Sequence, residues 1–369
     1  MKARYAVSAI LGLATASIFL GAPVWAATTV EPPVAVGSSP AGVAFNPSGT
    51  EAYIANAGTD TLSVFDPSSG LITGTITVGS GPLSVAFLPN GSEAYVANYN
   101  DNDVSVVDTV TSAVTATIAV GTAPFFVAAS PDGSTAYVVN SASPFGVSVI
   151  DTTTNTVTAT IPTGVAPVAV AFSPDGTKAY VANSSGDVSV IDVATATAGT
   201  PIALDNTPYG VAFSPDGTKA YVSQYGGGAG NTVAVIDTAT DTVTGSITVG
   251  SGPEGVTFTA DGKYALVANS DETVSVIDVA TGTTLTPIPS GNGSRLVAFQ
   301  PGTSLGIVSN NLDNTITPFV FDPDLPVAPT LPATGLSAAQ LGGLGVAGAL
   351  LVLVGASLVA LRSRRSQFR

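Results

Sequence analysis

The chain has 369 residues, with 25 acidic against 10 basic side chains and neither cysteine nor histidine. Without cysteine there is no disulfide, thiolate nucleophile or thiolate metal site, and without histidine the commonest general base and metal ligand are missing. A formal charge of −15 repels phosphate backbones, so no nucleic acid is expected as a partner.

The first element in chain order is a targeting segment. Lys2 and Arg4 precede an uncharged stretch from Tyr5 to about Leu20, followed by "GAPVWAATT". A basic start, an apolar core and small residues at Val24 and Ala26 predict a secretory signal peptide over 1–26, cut after Ala26. "VEPPVAVG" (Val30–Gly37) then stands alone as an orphan strand.

From there one unit recurs seven times. It opens on "VAF" or a relative, at Val43–Phe45, Val85–Phe87, Val127–Ala129, Val170–Phe172, Val211–Phe213, Val256–Phe258 and Val297–Phe299. "YVAN" or a variant follows eight residues later, at Tyr53, Tyr95, Tyr137, Tyr180, Tyr221, Leu266 and Ile307. Next come "VSVID"-like pieces ending at Asp66, Asp108, Asp151, Asp192, Asp237, Asp278 and Asp322. Most units close on a segment such as "TVTATIPTG". Each piece alternates β-branched with small or polar residues, the pattern of strands. "SPDG" (Ser173–Gly176, Ser214–Gly217) between the first two suits a type I turn. Four strands in about forty residues predict a β-propeller blade. The fold class is thus all-β, a seven-bladed β-propeller of four-stranded antiparallel blades over 27–322. The seventh unit lacks its fourth strand, so the N-terminal strand is expected to complete the last blade and protect its edge. These units resemble the YVTN family of β-propellers, a resemblance that implies prokaryotic export or surface placement and no single activity.

Loops on a rigid scaffold are where binding resides. The irregular loops "YNDND", "SASPFG" and "QYGGGAGN" all follow the second strand, on one face. On that side the residue after the inter-blade proline should face the central opening: Ala41, Leu83, Phe125, Val168, Tyr209, Glu254 and Arg295. Phe125, Phe126, Tyr209, Glu254, Arg295, Tyr99 and Tyr225 form the candidate binding patch. An ion pair at a seam plus aromatics plugging the channel is the competing reading of the same residues. The strand-ending aspartates and the asparagines Asn56, Asn98, Asn140, Asn183, Asn269 and Asn310 recur blade after blade, which marks them as scaffold. "NDND" (Asn100–Asp103) lacks calcium-loop spacing. No catalytic residue, metal or cofactor is expected. The rival is a hydrolase or lactonase, since other seven-bladed propellers carry such chemistry, but it needs carboxylates or a metal cluster converging in the channel.

Beyond the repeats, "PDLPVAPT" makes a proline-rich linker over 323–330, about 25 Å long at ~3.1 Å per residue. "LPATG" (Leu331, Pro332, Ala333, Thr334, Gly335) follows, then a predicted transmembrane helix over 336–361 whose stretch Leu341–Leu361 is uncharged, then a basic tail over 362–369. A run of ~20 apolar residues spans a bilayer, and the arginines Arg362, Arg364, Arg365 and Arg369 hold that end inside. The order of these parts resembles the cell-wall sorting signal of Gram-positive surface proteins. That resemblance implies sortase as a partner, cleavage between Thr334 and Gly335, and covalent attachment of Thr334 to peptidoglycan. It also implies a transient single-pass membrane intermediate and a final location on the wall. A wall polymer or a host or extracellular protein would be the ligand of the propeller. With both tails set aside, four basic residues (Lys178, Lys219, Lys263, Arg295) face all 25 acidic ones, a net charge near −21.

Overall fold

The computed structural model describes residues 27–322. The signal peptide, linker, LPATG motif, transmembrane span and basic tail inferred above lie outside the described residues. Among the described residues no helix is long and apolar enough to cross a membrane, and the only helical element is a 3₁₀ turn at Gly226–Gly228.

Seven antiparallel sheets follow one another along the chain. Their inner strands are Pro40–Phe45, Pro82–Phe87, Pro124–Ala129, Pro167–Phe172, Pro208–Phe213, Pro253–Phe258 and Ser294–Phe299. Each inner strand touches the next, and the seventh touches the first. The sheets therefore stand around one axis as the blades of a seven-bladed propeller. The second strands are buried along almost their whole length, as in Tyr180–Asn183. Each lies sandwiched between neighbouring blades, so both faces must be apolar or small. The turn after the inner strand forms as the residues dictate: Gly176 N–H donates to Ser173 O at 2.9 Å and Gly176 takes φ +71°, a conformation open to glycine.

Closure differs in detail from the expected single strand over Val30–Gly37. Two short strands, Ala27–Val30 and Val34–Ala35, both pair with Thr315–Asp322, in a register that sets Ala27 opposite Asp322 and Val34 opposite Ile316. The break falls at Pro32 and Pro33, which cannot donate to the ladder. The outer strands of blades 4 and 6 break in the same way, into Thr197–Ala198 and Ile202–Ala203 and into Thr283–Thr284 and Ile288–Pro289. Pro201 and Pro287 lie at those breaks. At the closing seam Ser309 Oγ donates to Ala41 O at 2.7 Å.

The seams follow one rule. The second-strand tyrosines Tyr53, Tyr137, Tyr180 and Tyr221 stack on Phe87, Phe172, Phe213 and Phe258 of the next blade, with ring centroids 4.5–4.8 Å apart. Two second-strand tyrosines also reach the turn between the third and outer strands of the next blade: Tyr95 Oη donates to Asn155 Oδ1 at 2.5 Å, and Tyr180 Oη donates to Asp241. Lys178 Nζ ties the same turn by bonds to Thr238 O and Asp241 at 2.8–2.9 Å.

Candidate binding site at the channel mouth

In five of the seven blades the end on the irregular-loop side is held by three residues. The second-strand asparagine is buried and donates from Nδ2 to a third-strand serine: Asn56 to Ser63, Asn98 to Ser105, Asn140 to Ser148, Asn183 to Ser189 and Asn269 to Ser275, at 2.8–3.0 Å. That serine oxygen also accepts the backbone N–H of a loop glycine, as from Gly250 at 3.0 Å. The glycine is obligatory: a Cβ at Gly121 would sit 2.5 Å from the Asn140 side chain. These asparagines therefore tie the second strand to the third, while the serine ties the third strand to the loop, a role that differs from the turn capping inferred from their recurrence.

Blade 5 breaks the set at all three positions. Gln224 replaces the asparagine, Ala234 the serine and Asp205 the glycine. Gln224 Oε1 instead accepts from Thr232 Oγ1 at 2.8 Å. The loop that follows carries Tyr225 and the turn Gly226–Gly228.

The mouth itself is lined by Ala41, Leu83, Phe125, Val168, Tyr209 and Arg295, six of the seven register positions, together with Phe126; Glu254, the seventh, does not line it. Tyr99, Phe125, Tyr209 and Tyr225 form a continuous aromatic arc, with successive ring centroids 6.2, 5.9 and 5.6 Å apart. Tyr99 is 38% exposed and forms one end of the arc. The structure thus gathers all seven candidate residues around the mouth. It also fills that mouth: the cavity among these side chains is about 20 Å³, room for roughly one water.

Glu254 lies beneath the surface, 7% exposed, beside Tyr209 and Arg295. Its Oε2 is 3.7 Å from Arg295 Nε, an ion pair between blades 6 and 7, and makes no hydrogen bond. Oε1 accepts from Ser270 Oγ at 3.3 Å. Burial pushes the Glu254 carboxyl above its ordinary range, while Arg295, Ser270 and Tyr209 act in the opposite direction. Burial and then the neighbouring Glu254 charge push the Tyr209 phenol up, opposed by Arg295.

The strand-ending aspartates do serve the scaffold. Asp66, Asp108, Asp151, Asp192, Asp237 and Asp278 accept from backbone N–H groups two or three residues on, as in Thr195 N to Asp192 at 2.8 Å. Hydrogen bonds hold the carboxyls of Asp66, Asp108, Asp151, Asp192 and Asp237 below their ordinary range. Among the described residues no group of three or more aspartates or glutamates is disposed to hold a metal ion.

Among solved structures the chain is similar to a chain of Kuenenia stuttgartiensis hydrazine synthase, with 24% sequence identity and a TM-score of 0.71. The match covers 76% of this chain and 95% of that one. At that identity the likeness shows the fold alone. No protein-family model and no curated protein matches the sequence.

Proposed function

We propose that this chain is a YVTN-type propeller protein exported by its N-terminal signal and covalently anchored to the wall of a Gram-positive bacterium. Its propeller serves there as a non-catalytic binding or structural module. The observation that carries this reading is the order of parts after the propeller: LPATG, an uncharged span and an arginine-rich end. In the anchoring step a sortase thiolate attacks the carbonyl carbon of Thr334, the amine of Gly335 leaves, and a peptidoglycan amine then displaces the enzyme.

The binding part rests on where the repeat is broken. Blade 5 loses its Asn–Ser–Gly set, and blades 6 and 7 place Glu254 and Arg295 where other blades carry apolar residues or Tyr209. These departures cluster around one sector of the mouth. The test of anchoring is expression in a Gram-positive host, with mass spectrometry of muramidase-released protein. Thr334 joined by an amide bond to a wall peptide is the expected result. Thr334→Ala should leave the protein in the membrane fraction; unchanged wall attachment would end the proposal.

A further inference from the structure

The loop entering the inner strand of blade 7 reads "NGS": Asn292, Gly293 and Ser294. In an Asn–Gly dipeptide the glycine has no Cβ to shield its nitrogen, which is then open to attack the asparagine side-chain carbonyl. The sequence holds one other such dipeptide, Asn90–Gly91. There both reacting groups are engaged. Gly91 N–H donates to Leu88 O at 2.8 Å, and Asn90 Oδ1 accepts from Ser92 N and Ser92 Oγ at 2.9 Å. Around Asn292–Gly293 the backbone is held, since Asn292 N donates to Asp313 Oδ2 at 2.7 Å and Asn292 O accepts from Leu312 N at 3.2 Å. The reacting groups are not. Asn292 is exposed, and among the described residues neither its side chain nor Gly293 N–H has a hydrogen-bond partner.

Other blades show why Gly293 N–H is free. At the equivalent place the N–H groups of Ser39, Gly81 and Ala123 donate to Oδ1 of Asn314, Asp60 and Asn102 in the preceding blade, each at 2.8 Å. Those acceptors stand just before a third strand, with φ between +56° and +59°. In blade 6 that residue is Glu272, φ +65°, whose carbonyl still accepts from Ser290 N at 3.0 Å. Its longer side chain makes no bond to Gly293. We propose that Asn292 is a site of spontaneous deamidation with Gly293 N as the nucleophile. The nitrogen gives up its proton and bonds to Asn292 Cγ, the side-chain nitrogen leaves as ammonia, and a cyclic imide forms. Water then opens the ring at either carbonyl, leaving aspartate or isoaspartate and a mass gain of about 1 Da. The product adds a negative charge three residues before Arg295, so one edge of the mouth changes with age, whatever the propeller binds.

The test maps deamidation by mass spectrometry in residues 27–330, which keep every described strand pairing, after incubation at mildly alkaline pH. The folded chain should convert Asn292 several-fold faster than Asn90, giving both aspartate and isoaspartate. In guanidinium chloride the two rates should converge, because the turn that protects Asn90 is gone. Glu272→Asn restores the acceptor that three other blades carry, and should slow Asn292 several-fold while Asn90 stays protected. Two results overturn the proposal: an Asn292 that reacts no faster than Asn90 in the folded chain, or one that reacts no slower in Glu272→Asn with Asn90 still protected.

Discussion

Seam 4/5 and seam 6/7 are built from equivalent strands, yet a turn of the next blade bridges the first and not the second. In the first, Tyr180 stacks on Phe213 at 4.6 Å while its hydroxyl and Lys178 hold the turn of the next blade. In the second, Leu266 is also fully buried but carries no hydroxyl, and no turn is there to meet it. A propeller seam thus needs a large side chain from one blade and a covalent turn from the next. Where the chain's two ends complete a blade, the second requirement fails.

The strongest way to break this comparison is to truncate both sides. Tyr180→Ala should cost about 3–5 kcal/mol by leaving a cavity between tightly packed blades. Leu266→Ala should cost about 2 kcal/mol, the low end for leucine, because no turn of the next blade closes over the cluster around it, which can relax. Urea denaturation of residues 27–330 measures both, and equal losses would erase the distinction between the seams.

The mouth allows a similar contrast between blades 3 and 5. Asn140→Ala should cost about 1–3 kcal/mol, since it removes a buried donor shared between Ser148 and the Gly146 carbonyl. Gln224→Ala should cost about 1 kcal/mol or less, because its one side-chain bond is to a half-buried threonine. A larger effect at Gln224 would mean that blade 5 has replaced the lost set with an equally strong device.

The smallest effect expected is a pH-dependent one at the blade 6/7 ion pair. The folded-state pKa of Glu254 is raised, so its contribution is complete below its unfolded value, near pH 4, and is lost as pH rises through the folded value. Glu254→Gln should therefore gain on the parent in melting temperature as pH rises above about 4. The hydrogen-bonded turn aspartates act with opposite sign, losing stability as pH falls through their depressed values, and cancel in the comparison. A difference independent of pH would show that the charge on Glu254 is already well compensated.

Much of the fold is legible because the repeat supplies seven local copies of the same information. Strand order, the turn at Ser173–Gly176 and the positions facing the channel follow from spacing alone. The patch residues are legible for the same reason: Tyr209, Glu254 and Arg295 share one register. Packing at the mouth is not. Whether Phe125 and Tyr209 leave a cavity or fill it depends on rings from blades 2, 3 and 5 meeting across the axis. The shared role of Asn140, Ser148 and Gly121 left a trace in the sequence, since all three change together in blade 5. Their contact becomes visible only when the strands are laid side by side.

Local chemistry in the sequence by itself determined the blades, their number and the acidic, disulfide-free surface, because turns and strand alternation act over a few residues. Only the tertiary structure decided that Ala27 meets Asp322, that aromatic rings meet one another at the mouth and that no turn from a third to an outer strand bridges blades 6 and 7. Each depends on side chains brought together across a ring, where volume and hydrogen-bond reach, rather than spacing along the chain, set the outcome.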